Sequence, residues 1–557
     1  MIKYNKRSIE KNISTDLIIL SDKKSKKEII SMKRIITLLL AVAMLAGVIM
    51  LSVACTKDPG VTTTDSGKST EGTTTKGNAA GTTTTGGAAG TDGTTSSSGA
   101  TTTNPSGTTT TGGEEPIVEW DGKTKLPGKE NVDFGGRTFF IASCDQNDGY
   151  DTTNEVWVEA LTNESYNDSV FERNKIMQEL YNCTIRVDHN GEDGYAADFA
   201  SGGGKYVGNT WMYDKPFTST GYYNVLSLPI DFTQDWWDQN YINDLSYDGK
   251  LYSIIGDFAR KAMECTWVIT FNKTVYENSG IDDDIYQLVK DHKWTMDKML
   301  EMSQKVLRDG DGSNDYKVGT AADSDTIGFS SSTFSYRAFF FGCGERYVTK
   351  NSSEKFKVAL TDGKGAEVID KLIKFYADDS YQNAGYTTYQ ESLKAGKLLF
   401  MGEVLHALVR FKDVEDLEVG VLPFPLYDEN QERYYLHVNN HLPAYGIPTS
   451  FSDTEVLGDF WTLYAAHSRY TVRKAFVDSC KYVWTSDEEN GEMMDIILDS
   501  RIYDPGYNWN LASSFDTVLV SMVESADNRF SGYANKQVRS IETNINAYDA
   551  LIRELEG

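Results

Sequence analysis

Aspartates alternate with glycines in Asp309-Gly310-Asp311-Gly312-Ser313-Asn314-Asp315, a run whose oxygens invite a calcium reading. The calcium loop of a helix–loop–helix site needs oxygen ligands at its first, third and fifth places, glycine sixth and glutamate twelfth. Counted from Asp309, the sixth residue is Asn314 and the twelfth is Thr320. The run therefore reads as a solvated turn between a helix and a strand, and no metal or cofactor is expected. The six cysteines, Cys55, Cys144, Cys183, Cys265, Cys343 and Cys480, are scattered without CxxC spacing, which excludes a zinc site and a disulfide framework. Most of them read as small core hydrophobes. No GxSxG, HExxH or phosphate-loop pattern occurs, so serine hydrolase, zinc protease and nucleotide hydrolase have no support. With 81 Asp and Glu residues, a carboxylate pair for glycoside hydrolysis is always available to composition, and a glycan-acting hydrolase stays open.

The formal net charge is -27 over 557 residues. Nucleic acid and anionic lipid surfaces need clustered Lys and Arg, so neither is an expected partner. The acidity serves solubility through self-repulsion. Residues 1–31 read as an extension ahead of a start at Met32. From there MKRIITLLLAVAMLAGVIMLSVAC has a basic start, an apolar run and small residues before a cysteine, the three parts of an export signal over 32–54. A membrane-spanning anchor is the competing reading, because the apolar run is nearly long enough. Leu51-Ser52-Val53-Ala54-Cys55 resembles a bacterial lipobox, in which the cysteine receives a diacylglycerol and becomes the first mature residue. Ser52 departs from that pattern, which places Leu three before the cysteine. Residues 55–115 follow as a Thr/Gly/Ser-rich tether (GTTTTGGAAGTDGTTSSSGATTTNPSGTTTTGG) that cannot bury enough apolar surface to offset its ordering entropy. Its r.m.s. reach is roughly 40 Å.

The elements that must position any site lie beyond Val132. Arg137–Ser143 and Cys183–Asp188 read as strands around a helix at Asn167–Tyr181. Further helices are expected at Thr295–Leu307 (with Thr295 as N-cap), Gly365–Ala377, Asp453–Ala466 and Asn535–Leu555, and a strand at Val419–Pro423. Strands interleaved with helices predict an α/β architecture. No internal repeat is visible.

Six segments, in order, carry a resemblance. They are Asn167-Asp168 with Phe171-Glu172-Arg173-Asn174 leading into CTIRV; Asp235-Trp236-Trp237-Asp238 with LSYDGKLY; and Ile269-Thr270-Phe271-Asn272-Lys273 leading to Lys293-Trp294-Thr295. Ala395 to Gly402, Val419-Gly420-Val421-Leu422-Pro423-Phe424-Pro425, and Tyr445-Gly446-Ile447-Pro448 complete the set. Together they resemble the extracellular solute-binding proteins of bacterial ABC importers, in particular the sugar-binding lipoproteins of Gram-positive bacteria. The stretch from Ser201 to Asp214 departs from the family pattern.

The resemblance implies a two-lobed, periplasmic-binding-protein-like (type II) fold with a hinge and an interlobe cleft. One lobe would take 133–262 and 440–485, the other 263–439 and 486–557. It implies a lipid-anchored monomer on the outer face of the membrane that captures a carbohydrate and delivers it to permease subunits, without catalysis. A surface lipoprotein that binds a wall polymer is a further alternative. A sugar presents an apolar C–H face and a rim of hydroxyls, so flat rings and directional polar groups are the matching chemistry. By family order the candidates are Asp145 after the first strand, Trp236 and Trp237, Trp267 at the crossover, and Tyr336 beside Phe334. Glu403 and His406 follow at a turn, Asn440 and His441 stand on the hinge side, and Tyr507 and Trp509 lie in an aromatic loop. For Trp236, Trp237, Trp267 and His406 a structural role in the core is the competing reading, and Phe339 to Phe341 read as a buried helix face.

Overall fold

The computed structural model describes residues 120–143, 152–188, 191–211, 221–320, 325–485, 489–512 and 515–555. All belong to the second of two compact units, Thr111–Gly557. The export signal, Cys55 and the tether lie outside the described residues, as do Cys144 and Asp145.

Two sheets organise the unit. They are built from β1 (Arg137–Ala142), β2 (Cys183–Asp188), β3 (Tyr206–Trp211), β4 (Trp267–Asn272), β5 (Ile327–Ser331), β6 (Tyr381–Asn383), β7 (Leu398–Val404), β8 (Val419–Leu422) and β9 (Ala444–Gly446). The first sheet runs β2-β1-β3-β9, with β1 to β3 parallel and β9 antiparallel to β3. A bridge from Tyr445 to Ile254 adds a fifth chain at its edge. The second runs β6-β5-β7-β4-β8, with β5 parallel to β6 and β7, and β4 antiparallel to both β7 and β8. Each sheet thus has three parallel strands in the order second-first-third, then one strand arriving from the other sheet and running against them. The sequence shows no repeat, yet the two halves share one strand order. Different side chains satisfy the same backbone pattern.

Burial explains the strand sequences. Every residue of β4 (WVITFN), β5 (IGFSS) and β7 (LLFMGEV) is buried, as strands covered on both faces require. Gly420 in β8 leaves room for the Phe271 ring of β4, which a Cβ there would meet at 2.1 Å.

Helix α1 (Ser165–Tyr181) starts where the Glu164 side chain accepts from Asn167 N–H, and ends at Asn182 in the left-handed region (φ 54°). From it Arg173, fully buried, donates to the carbonyls of Glu155 (3.0 Å) and Val156 (3.1 Å) and lies 4.0 Å over the Tyr464 ring. The Arg-Asn pair noticed in the sequence is therefore a packing device. Helix α2 (Arg260–Glu264) sits between the sheets, ahead of α3 (Ser335–Gly342), α4 (Tyr386–Lys394), α5 (Thr454–Ser468) and α6 (Phe530–Leu555). The helix at Met296–Val306 has the expected N-cap, Thr295 Oγ1 accepting from Lys298 N–H at 3.2 Å. Helix α6 begins five residues before its expected start, its Phe530 ring buried against Phe340 and Phe515.

Two antiparallel segments carry the chain between the sheets, bridged at Ile254–Tyr445 and Thr266–Val438. Cys183, Cys265, Cys343 and Cys480 are free and buried. Among the described residues no helix is long and apolar enough to cross a membrane. Asp309, Asp311 and Asp325 bring carboxylate oxygens within 4.8 Å of one another. Those oxygens are taken up by the turn: Asp309 accepts from Gly312 and Asn314 N–H, and Asp325 from Gly310 and Lys317 N–H.

Candidate functional site

The carboxyl ends of β5, β6 and β7 and the amino end of β4 point the same way, and a cavity of about 400 Å³ opens there. Open α/β sheets bind ligands at this end because the loops and helix starts after each strand converge on it. One wall comes from the β4–β7 pair, where Trp267 opposes Val404 and Val268 opposes Glu403. The chain leaving β5 supplies Phe334 and, on α3, Arg337. The chain leaving β6 supplies Tyr386 and Gln390 on α4. His406 and Arg410 come from the 3-10 turn Leu405–Arg410, Asn439, Asn440 and His441 from the returning crossover, and Tyr507 from the short helix Pro505–Asn508.

The wall is part apolar and part polar, as small-molecule sites are. Phe334 and Tyr386 are 47% and 48% exposed, unusual for rings this large. Trp267 is buried, and its indole N–H has no hydrogen-bond acceptor among the described residues. Arg337 lies 4.0 Å over the Tyr507 ring and donates through Nε to His437 Nε2 at 3.1 Å. Burial, then the charges of Arg337 and Arg346, push the His437 pKa well below its ordinary value. The neutral imidazole accepts at Nε2 and so carries its proton on Nδ1.

Glu403 accepts from the Tyr389 hydroxyl and from Val404 N–H at 3.1 Å. Burial raises its pKa against the opposing pull of those bonds and of Arg410. Arg410 Nη1 donates to Gln390 Oε1 at 3.2 Å. Behind the wall, His406 Nδ1 stands 3.1 Å from Oε2 of the buried Glu264. Tyr507 is held by its own turn: Asp504, the N-cap, accepts from Gly506 N–H at 2.7 Å and from Tyr347 N–H at 2.7 Å. Burial nevertheless raises the Asp504 pKa to about 7.

Of the residues singled out in the sequence, Trp267, Glu403, His406, Asn440, His441 and Tyr507 line this one cavity. Four others stand elsewhere. Tyr336 shares α3 with Arg337 but points inward, 4.4 Å from the Tyr376 ring, and burial raises its pKa to about 12. Trp237 is buried beside Phe232 and Phe258, its ring N–H donating to Asp231 O at 3.0 Å. Trp236 is half-buried against the same core. Trp509 packs on Phe356 and Tyr548 at 5.7 and 5.3 Å. Asp145 lies outside the described residues.

The cavity also contains residues that sequence reasoning passed over. Arg337 stood in YRAFFF as a lone cation in an apolar helix, which was the available signal. Tyr386 and Gln390 gave none, because β6 is only three residues long and its following helix was not recognised, and Arg410, which ends the 3-10 turn after β7, gave none either.

Residues 151–447, more than half of the chain, match the model of the family described as bacterial extracellular solute-binding protein. The chain belongs to that family, whose members are two-lobed binding proteins of the cell exterior. It is similar to a solved cyclo/maltodextrin-binding protein complexed with maltotetraose, with 12% identity over 73% of this chain and 97% of that one and a TM-score of 0.48. An ABC substrate-binding protein from Listeria monocytogenes in complex with cycloalternan is 13% identical over 74% and 98%, TM-score 0.42. A family 1 extracellular solute-binding protein from Bifidobacterium longum subsp. infantis is 14% identical over 74% and 99%, TM-score 0.45. No curated protein matches the chain.

Proposed function

We propose that this protein captures a carbohydrate, most simply an oligosaccharide, in the cavity at the end of the second sheet and hands it to an ABC permease. The observation that carries the reading is the pairing of two half-exposed rings, Phe334 and Tyr386, with hydrogen-bonding groups in one cavity. Flat rings take the C–H face of a pyranose, while Glu403, Gln390, Asn440 and His441 suit the hydroxyl rim. The lobes follow the two sheets, 133–262 with 440–485 and 263–439 with 486–557, and closure about the crossover segments would trap the ligand. Cys55 carries the lipid anchor and the tether sets the distance from the membrane; the protein acts as a monomer and performs no chemistry on its ligand.

The test is a panel of neutral and acidic oligosaccharides offered to the purified protein. Ligand-dependent quenching of tryptophan fluorescence together with a rise in melting temperature supports capture. Release of shorter sugars would replace this reading with that of a hydrolase, and the absence of any response across the panel would reject a carbohydrate ligand.

A further inference from the structure

Glu264 is the last residue of α2, the short helix between the sheets, and is only 1% exposed. Its Oε1 lies 3.1 Å from Arg260 Nε, an ion pair without hydrogen-bond alignment. Its Oε2 lies 3.2 Å from Lys261 Nζ and 3.1 Å from His406 Nδ1. The same helix is tied to the first sheet's side, because Lys261 N–H donates to Glu155 Oε1 and Tyr445 Oη donates to Glu155 Oε2 at 3.0 Å. A chain of buried polar contacts thus runs from Tyr445 on β9, through Glu155 and α2, to an imidazole on the cavity wall.

The chemistry of the last link is constrained. Burial pushes the Glu264 pKa up, but Arg260, the hydrogen bond from His406 and Lys261 outweigh it and hold the carboxyl well below the usual carboxylate range. An ionised carboxylate only accepts, so His406 Nδ1 must donate. With a single proton on the ring, that proton sits on Nδ1, the less common tautomer of a free imidazole in water. That leaves Nε2 as an acceptor on the opposite edge of a ring that is 36% exposed and belongs to a residue lining the cavity.

We propose that Glu264 is a positioning residue for ligand capture, acting through His406. It locks the imidazole so that Nε2 accepts a hydrogen bond from a ligand hydroxyl. This rests on the carbohydrate reading of the cavity. A carboxylate that accepts from the other ring nitrogen fixes histidine tautomer and ring orientation in the same way at metal sites, and here the beneficiary is a hydroxyl.

The test is a double-mutant cycle on the full chain, using an oligosaccharide that the wild type binds. Glu264→Gln and His406→Ala should each weaken binding about tenfold, and the double variant should bind no worse than His406→Ala alone. Nitrogen-15 spectra of the wild-type protein, with His406→Ala for assignment, should place the proton on Nδ1 of His406. A proton on Nε2 overturns the proposal. So does a loss from Glu264→Gln that is the same with and without His406, or no loss at all in a folded variant. The wild-type spectrum keeps the test decisive if Glu264→Gln fails to fold. Wild-type binding with an additive cycle removes only this proposal, whereas no binding to any sugar removes the carbohydrate reading with it.

Discussion

The Tyr507 hydroxyl donates to Asn440 Oδ1 at 2.9 Å and stands 3.4 Å from the Asn440 backbone N–H that donates back to it. Residues 67 apart in sequence are thereby joined where the returning crossover meets the cavity. Tyr507 also carries Arg337 on its ring face, so one side chain fixes the crossover and a cation together. Tyr507→Phe keeps the ring and removes both bonds. It should cost about 1 kcal/mol of stability and weaken ligand binding several-fold, read by denaturant melts and by titration of tryptophan fluorescence.

Phe334 and Tyr386 already stand half in solvent, so replacing either by alanine should change stability by less than about 0.5 kcal/mol. Affinity should fall about tenfold for each, about 1.4 kcal/mol. Trp237→Ala provides the opposite pattern. It empties a core position at a cost of about 3–5 kcal/mol and should leave the affinity of the surviving folded fraction unchanged. Parallel melting and binding curves for the three variants check the assignment.

His467 gives the fold an acid-sensitive point. Its Nδ1–H donates to Gly122 O at 2.8 Å, and its Nε2 accepts from the Tyr181 hydroxyl at 3.2 Å, with the Trp120 ring 4.9 Å away. Burial lowers its pKa to about 4, against the pull of the Gly122 bond. The unfolded chain therefore binds a proton near pH 6.5 that the folded chain refuses until about pH 4. Stability should fall as pH drops through that window, by about 3 kcal/mol in all. His467→Gln should flatten the melting temperature profile between pH 6.5 and 4 relative to wild type. A parallel fall in both proteins would assign the acid sensitivity to other groups.

Cys55→Ala should abolish incorporation of a fatty-acid probe and release the protein from cell membranes. Stable anchoring takes two acyl chains, which one diacylglycerol supplies. A variant that still takes up label and stays membrane-bound would refute acylation at Cys55.

Much of the fold was legible locally. Cys183–Asp188 alternates and is a strand with those bounds, Thr295 caps its helix, and the Phe339–Phe341 run is buried. Such features follow from periodicity and short-range hydrogen bonding, which neighbours in sequence settle. The Ala395 to Gly402 and Val419 to Pro425 segments were recognisable because both carry fully buried strands, one central and one at the sheet edge, which read as continuous apolar runs.

The site was only partly legible. Trp237 and Trp267 are both 1–2% exposed tryptophans near acidic residues, and nothing in their local sequence separates them. Trp237 is enclosed by Phe232 and Phe258, whereas Trp267 opens β4 at the end where three parallel strands finish. Tyr336 and Arg337 are adjacent on one helix, yet a rotation of about 100° per residue turns the first into the core and the second to the cavity. The sequence by itself determined the α/β class and the residue types available for a ligand, because composition and periodicity are local properties. Tertiary structure decided which of those residues meet: the shared strand order of the two sheets, the antiparallel arrival of β4 and the turn after β7 bring Trp267, His406, Asn440 and Tyr507 to one cavity from four separate stretches of chain.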